Sequence, residues 1–137
     1  MAKPVVFDST AILAILFDEP GAEKLIGLLQ QGLLSSVSLA EIYSRLLLAG
    51  RPAAPAWDRV LSMGFEVVHF SSEHARLAGG LMQIGGLPRK TRSQTLSLAE
   101  RACLALAIER DATVYTTNHA WKNLPGIASS LDIVIIA

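Results

Sequence analysis

The chain has 137 residues, which is enough for one domain with a single hydrophobic core. Hydrophobic residues make up 51% of it, charged residues make up 18% where roughly 25% is usual, and twelve basic residues balance twelve acidic ones. This composition excludes intrinsic disorder, which needs few apolar residues, and it excludes a generally basic nucleic-acid binder. We expect one neutral domain spanning residues 1–137.

No segment predicts a membrane span. The longest stretch without charge covers residues 25–40 and is interrupted by polar residues, whereas a spanning helix needs about 20 apolar ones. Asp8 interrupts the apolar N-terminal segment, so a signal peptide is not predicted. Cys103 is the sole cysteine, which favours a reducing, cytoplasmic setting.

In the first half of the chain, short apolar runs alternate with helical patterns. A strand at residues 4–7 precedes a helix at 11–17, and apolar residues 22, 25, 26 and 29 then share one helical face. Residues 33–34 predict a buried strand that ends at Ser35-Ser36. The next helix has an apolar stripe and stops at Gly50. The stripe consists of Leu39, Ile42, Tyr43, Leu46 and Leu47.

The second half continues the same alternation. A helix is predicted at 56–63, a strand at 65–70 and a helix at 72–81. Residues 98–108 are apolar nearly all round, which predicts a buried central helix. Strands at 113–116 and 132–136 complete the pattern. Such alternation is typical of parallel βαβ units, so the expected fold class is α/β, a three-layer α/β/α sandwich with a parallel sheet.

Three acidic residues lie where predicted strands give way to helices. Asp8 follows the first strand, Glu41 begins the helix after the second, and Glu100 opens the central helix; Asn118 follows the strand at 113–116. In open α/β sheets, sites form at the carboxyl ends of strands, so these four side chains are candidates for one site.

Helix capping is the alternative interpretation of each acid. Residues 38–41 and 97–100 both have the Ser-x-x-Glu pattern of a capping box, and Asp8 or Ser9 can cap the first helix. The two interpretations differ in geometry, because caps need not lie near one another whereas the residues of a site must.

If the acids converge, they require a cation. Three carboxylates in one pocket do not all stay ionised without compensation, and Mg²⁺ or Mn²⁺ prefers oxygen ligands. A metal-bound water can attack a phosphodiester. Because such a pocket repels phosphate, the basic residues Arg89, Lys90 and Arg92 are candidates for attracting a phosphodiester substrate, although a solvated loop explains them equally well.

The chain resembles PIN-domain proteins, and within them the VapC toxins of bacterial type II toxin–antitoxin pairs. Four segments carry this resemblance in order: VVFDSTA at 5–11, SLAE at 38–41, LAERACLALA at 98–107 and TTNHAW at 116–121. The resemblance implies about five parallel strands and a Mg²⁺-dependent endoribonuclease. It also implies a homodimer that a VapB-like antitoxin inhibits by covering the active site.

Carried over by position, the resemblance assigns Asp8, Glu41 and Glu100 as catalytic metal ligands. Asn118 belongs to the same catalytic set, Ser9 supports the metal site, and Thr116 shapes the pocket. The family usually has Asp at the positions of Glu100 and Asn118. Glu100 is longer by about 1.5 Å and Asn118 is neutral. We therefore expect weak metal-dependent cleavage, with one metal rather than two, and a gain in metal affinity from Asn118→Asp.

Two other functions stay open. A degenerate PIN domain would bind RNA or its antitoxin without efficient cleavage, and a Mg²⁺-dependent phosphatase would use Asp8 as its nucleophile. The phosphatase chemistry needs a second Asp at position 10, where the chain has Thr10. Cys103 and Trp121 are expected to pack in the core, although Trp121 follows Asn118 closely enough to stack on a base. The surplus of apolar residues predicts exposed helical faces that bind partners.

Overall fold

Five parallel strands form the sheet in this computed structural model, which describes residues 3–81, 96–124 and 130–136. The strands are β1 (Val5–Phe7), β2 (Gly32–Ser35), β3 (Glu66–Val68), β4 (Thr113–Thr116) and β5 (Asp132–Ile135). Their order across the sheet is β3-β2-β1-β4-β5, and every neighbouring pair is parallel. The first strand is therefore central, with β2 on one side and β4 on the other.

Helices cover both faces of this sheet. The α-helices are α1 (Ser9–Leu16), α2 (Ser36–Leu48), α3 (Ala53–Leu61), α4 (Ser72–Gly80) and α5 (Leu98–Arg110), and 3₁₀ helices span Ala22–Gln31 and His119–Asn123. Val5 and Phe7 point into a core with α1, α2 and α3, whereas Val6 points into a second core with α5. This alternation confirms the predicted three-layer α/β/α sandwich.

Two predicted elements differ in extent from the structure. The helix predicted at 11–17 begins at Ser9, because Asp8 has the extended backbone of an N-cap residue. The strand predicted at 65–70 is only three residues long. It lies at the edge of the sheet, where a strand has a hydrogen-bonded neighbour on one side only.

The segment after α1 is a 3₁₀ helix rather than an α-helix with four residues on one face. Ala22, Leu25 and Leu29 are buried, but Ile26 is 58% exposed. Ile26 therefore does not share the buried side that the sequence pattern predicts for it.

The capping box predicted for Ser38 and Glu41 is wrong. Helix α2 begins at Ser36, and Ser35 is its N-cap, with its Oγ accepting a hydrogen bond from the Val37 N–H at 3.2 Å. Ser38 lies inside the first turn, where it is buried. Glu41 therefore has no capping role in α2.

Helix α5 is the buried central helix that its sequence predicts, with six consecutive buried residues from Ala102 to Ala107. Its Arg101 donates from Nη1 to the carbonyl of Ala78 at 3.1 Å and from Nε to the carbonyl of Leu96 at 3.3 Å. Arg101 thus joins Ala78 in α4 to Leu96, the first residue described after segment 82–95. Arg89, Lys90 and Arg92 belong to that segment and lie outside the described residues.

Candidate active site

The site lies at the carboxyl end of the sheet, between β1 and β4. After β1 the chain moves to β2 and β3 on one side, and it returns to β4 on the other side of β1. This reversal makes a crevice in which α/β proteins bind ligands. Phe7 pairs with Tyr115, and the Asp8 N–H donates to the Tyr115 carbonyl at 2.9 Å. Asp8, which follows β1, and Thr116, the last residue of β4, therefore lie side by side at this end of the sheet.

The Asp8 carboxylate is buried, with 1% of the residue exposed, and its two oxygens differ in their partners. Its Oδ2 accepts hydrogen bonds from the Thr10 hydroxyl at 2.6 Å and from the Thr116 hydroxyl at 2.9 Å. Its Oδ1 is buried and has no hydrogen-bond partner. Asp8 occupies the N-cap position of α1 without a side-chain capping bond, so capping does not explain this residue.

Burial raises the pKa of Asp8 above its ordinary value, and the nearby negative charge of Glu100 raises it further. Hydrogen bonds from Thr10 and Thr116 oppose this rise in pKa, as does the backbone N–H of Ser9. Ser9 is buried at the first position of α1. The chain thus keeps an acid where its ionised form is costly.

Thr10 and Thr116 hold the segment after β4 against Asp8. Each hydroxyl has one hydrogen and donates it to Asp8, so their oxygens act as acceptors toward the backbone. The Thr117 N–H donates to Thr10 Oγ1 at 3.1 Å, and the Asn118 N–H donates to Thr116 Oγ1 at 3.0 Å. These four bonds fix Asp8 and the backbone of residues 116–118 in one arrangement.

Asn118 links this arrangement to Glu100. Its Nδ2 donates to Glu100 Oε2 at 3.1 Å, and its Oδ1 accepts from the Ala120 N–H at 3.0 Å, capping the 3₁₀ helix that follows. We call Asp8, Thr10, Glu100, Thr116 and Asn118 the acidic cluster.

Glu100 forms the predicted capping box and also belongs to the acidic cluster. Its Oε1 accepts from the Ser97 N–H at 2.9 Å, while the Glu100 N–H donates to Ser97 Oγ at 3.1 Å. Its Oε2 accepts from Asn118 and from the Trp121 indole N–H at 3.2 Å. Capping and site membership are therefore compatible at this residue.

The residues at positions 100 and 118 depend on each other. The long Glu100 side chain reaches Asn118, and an amide there donates a hydrogen bond where a second carboxylate would repel. The two differences from the family pattern therefore form a single hydrogen-bonded arrangement.

Glu41 has no hydrogen bond to the acidic cluster. It lies in the second turn of α2, and its Oε1 is 3.6 Å from Arg45 Nη2, one helical turn further on. Because β2 is the neighbour of β1 and α2 follows β2 directly, Glu41 nevertheless lies toward the same edge of the sheet.

A divalent cation fits two of the acids. Asp8 Oδ1 is a buried oxygen without a donor, and Glu100 accepts three hydrogen bonds where a carboxylate has about four lone-pair sites. Mg²⁺ is commonly held by one or two carboxylates while it keeps several waters. Within residues 3–81, 96–124 and 130–136, no group of three or more His, Cys, Asp or Glu side chains lies close enough to hold a metal.

Sequence reasoning missed two members of this site. Thr10 was considered only as the absence of a second Asp, and Trp121 only as a packing or base-stacking residue. Base stacking by Trp121 is wrong, because the residue is 1% exposed and its indole N–H contacts Glu100. The spacing of Asn118 and Trp121 in one short helical turn is the signal that both side chains can reach the same partner.

Other chemically reactive side chains are occupied elsewhere. Cys103 is fully buried in α5, and burial raises the pKa of its thiol well above the ordinary value, so it is unsuited to nucleophilic attack. His74 is 1% exposed, and its Nε2 lies 2.9 Å from Glu109 Oε1.

An α/β/α fold with a buried Asp and a half-buried Glu at its switch point defines a class of single-domain proteins with a polar site at the carboxyl edge of the sheet. The sequence pattern of the PIN domain matches residues 5–127. Since this is most of the chain, the protein belongs to the PIN-domain family.

Solved structures share this fold at low sequence identity. A chain of VapBC2 from Rickettsia felis bound to a promoter DNA fragment is 19% identical with a TM-score of 0.70, and the match covers 97% of this chain and 98% of that one. A toxin–antitoxin complex from Klebsiella pneumoniae is 17% identical with a TM-score of 0.66 and 95% coverage of both chains. VapBC-5 from Mycobacterium tuberculosis is 20% identical with a TM-score of 0.59, covering 97% and 99%.

No curated protein matches the chain. Among the described helices, none has the length and apolar character that a membrane span requires.

Proposed function

We propose that this protein is a VapC-type toxin, a metal-dependent endoribonuclease of a type II toxin–antitoxin pair. One observation carries the proposal: the buried Asp8 carboxylate has an unpartnered oxygen and lies beside Glu100 at the switch point of a PIN domain. Structures of toxin–antitoxin complexes with the same fold support the assignment.

Asp8 and Glu100 are the metal ligands of this proposal. Mg²⁺, or Mn²⁺ in its place, is the cofactor, since PIN domains typically use divalent metals and carboxylate oxygens suit both ions. The bound metal supplies an activated water for attack on an RNA phosphodiester. Thr10 and Thr116 occupy Oδ2 of Asp8 and so leave Oδ1 for the cation, and Ser9 supports the position of Asp8.

Glu41 is the third acid of the proposed site. Its ion pair with Arg45 joins partly exposed side chains one helical turn apart, and such pairs contribute only about 0.3–0.5 kcal/mol. A divalent cation therefore competes easily with Arg45 for this carboxylate. Asn118 completes the catalytic set by holding Glu100.

RNA is the proposed substrate. The acidic cluster repels phosphate, so binding requires cations nearby, and Arg89, Lys90 and Arg92 supply three within four residues. Arg101 donates to the backbone carbonyl of Leu96, the first residue described after the segment that contains them.

A VapB-like antitoxin is the proposed partner, and a homodimer is the proposed assembly. Helices α2 and α3 expose Leu47, Leu48, Trp57 and Leu61, with Leu48 83% exposed. Single exposed apolar residues are ordinary, but four on adjoining helices are typical of a partner surface. We assign this exposed face to a VapB-like antitoxin because solved structures with the same fold include toxin–antitoxin complexes. We propose a cytoplasmic location on the same grounds.

Expression in a bacterium tests the proposed activity. The wild type should arrest growth, and Asp8→Ala or Glu41→Ala should relieve the arrest, whereas Glu23→Ala on the exposed 3₁₀ surface should not. The purified protein should cleave RNA with Mg²⁺ or Mn²⁺ and stop when EDTA removes the metal.

The same assays separate the other candidate functions. Arrest that persists in both acid variants, without RNA cleavage, would favour a degenerate PIN domain that only binds; the three donors already on Glu100 are the observation behind this alternative. Hydrolysis of phosphate monoesters with intact RNA would favour a phosphatase. Thr10 argues against it, because it donates to Asp8 where a second acid is needed.

A further inference from the structure

Trp121 is a core residue with a polar contact to the acidic cluster. It is 1% exposed and packs in the same hydrophobic core as Val6, Leu104 and Val114. A buried indole N–H needs a hydrogen-bond acceptor. Here that acceptor is Glu100 Oε2, at 3.2 Å.

The donors around Glu100 determine which of its oxygens is available. Asn118 and Trp121 both donate to Oε2 and so occupy its two lone pairs, while Ser97 donates once to Oε1. Oε1 therefore keeps one free lone pair. Without the indole N–H, Oε2 would have only one donor, and the carboxylate would lose part of what fixes its rotation.

We propose that Trp121 is a positioning residue for the metal site, and that its indole N–H fixes the Glu100 carboxylate so that Oε1 is the oxygen left for a cation. This inference rests on the proposed function, because it assumes that Asp8 and Glu100 bind a divalent metal. It adds that the affinity of the site depends on a residue of the hydrophobic core that does not itself touch the metal.

The expected effect is a change in metal affinity. Loss of a hydrogen-bonding partner behind a metal ligand typically lowers affinity about 10–100-fold. Trp121→Phe removes the N–H and keeps an aromatic ring in the core, so we expect Mn²⁺ to bind about 10-fold more weakly. The matched control is Trp57→Phe, the same substitution on α3, where Trp57 is 36% exposed and packs on Tyr43.

The test is calorimetric titration of Mn²⁺ into the full-length wild type and both variants, with thermal unfolding of each protein in EDTA to verify folding. Weaker binding by Trp121→Phe alone supports the proposal. Equal binding by all three proteins overturns it and leaves the proposed function intact. Absence of binding by the wild type itself overturns both.

A second readout does not depend on the stability of Trp121→Phe. In the Trp57→Phe protein, Trp121 is the sole tryptophan, so the intrinsic fluorescence reports on its surroundings alone. Mg²⁺ added at saturating concentration should shift or change the Trp121 emission, because the cation withdraws charge from the carboxylate that accepts its N–H. Emission that is unchanged while calorimetry records metal binding overturns the proposal.

Discussion

Two polar clusters, each built around one buried titratable side chain, differ in how completely the atoms of that side chain are hydrogen-bonded. The acidic cluster between β1 and β4 leaves Asp8 Oδ1 without a partner. The second cluster joins α4 to α5 and consists of Ser71, His74, Glu109 and Arg110; we call it the histidine clasp. His74 Nδ1 accepts from the Ser71 N–H at 3.5 Å, so in a neutral ring Nε2 has the hydrogen and donates it to Glu109 at 2.9 Å.

On the proposed function, this difference separates a structural cluster from a metal-binding one. A buried polar atom without a partner costs about 1–3 kcal/mol, so a fold keeps one mainly where something else completes it. The histidine clasp needs nothing further, because both ring nitrogens have partners and Arg110 also contacts Glu109. The acidic cluster leaves Asp8 Oδ1 without a partner, and the proposed function assigns a divalent cation to that oxygen.

The largest expected effect comes from Asp8→Asn. The amide keeps an oxygen for Thr10 and Thr116 but loses the charge that holds the metal, so cleavage of RNA and binding of Mn²⁺ should fall by about 100-fold or more. The metal-free variant should also unfold at a higher temperature than the wild type, because the costly buried carboxylate is gone. Destabilisation together with unchanged Mn²⁺ binding would contradict this account.

The same variant has a predicted pH dependence. The folded-state pKa of Asp8 is raised above 3.8, so the folded protein holds a proton that the unfolded chain has already released. Ionised Asp8 therefore lowers stability at neutral pH, and this cost disappears as pH falls through the raised pKa. In urea unfolding with EDTA, the stability gain from Asp8→Asn should shrink as the pH is lowered from 7 toward 4; a constant gain would contradict the sign.

His74→Ala should have the opposite pattern. It removes a buried ring together with its hydrogen bonds to Ser71 and Glu109, so we expect a loss of about 2–4 kcal/mol in the free energy of unfolding. Affinity for Mn²⁺ should not change, because the clasp has no contact with the acidic cluster. Urea unfolding and calorimetry measure the two quantities, and a loss of metal binding in a folded variant would mean that the clusters are coupled.

Asn118→Asp should separate stability from affinity within the acidic cluster. The new carboxylate keeps the acceptor for the Ala120 N–H but loses the donor to Glu100, so the metal-free protein should lose about 1 kcal/mol of stability. A cation compensates the added charge, and Mn²⁺ should bind several-fold more tightly. Weaker Mn²⁺ binding would show that the hydrogen bond from Asn118 to Glu100 contributes more to metal affinity than an additional carboxylate does.

Glu109→Gln is the mildest of these changes. It keeps an acceptor for His74 and removes the charge on a partly exposed side chain, so the loss at pH 7 should be below about 1 kcal/mol. Hydrogen bonding from His74 lowers the pKa of Glu109 below 4.5, and Arg110 adds to this. The stabilisation that ionised Glu109 contributes is present above pH 4.5 and is lost as the pH falls through the lowered pKa. The free energy of unfolding of Glu109→Gln should therefore not show this loss as the pH is lowered.

The strands and the fold class could be predicted because the spacing of apolar residues along the sequence indicates both. Residues 113–116 form β4 as predicted, and residues 102–107 are the buried centre of α5. Helix beginnings were less predictable. Ser35 and Ser38 both offer a hydroxyl before an apolar run, and only the end of β2 determines that Ser35 is the cap.

The sequence predicts which residues lie near one another at the candidate site, but it does not predict which of their atoms form hydrogen bonds. Strand ends and helix beginnings indicated Asp8, Glu41, Glu100 and Asn118. The structure links all of them except Glu41 through hydrogen bonds. The sequence does not show which oxygen is left without a donor, since that depends on hydroxyl groups at positions 10 and 116. The pairing of Glu41 with Arg45 likewise depends on side-chain conformations that helical spacing permits but does not require.

Calorimetric titration of Mn²⁺ into wild type and Asp8→Asn tests most directly whether the acidic cluster is a metal site. The account predicts one site per chain in the wild type at millimolar or tighter affinity, no measurable binding by Asp8→Asn, and unchanged binding by His74→Ala under conditions where it is folded. Absence of binding by the wild type at millimolar Mn²⁺, or equal binding by Asp8→Asn, would contradict it.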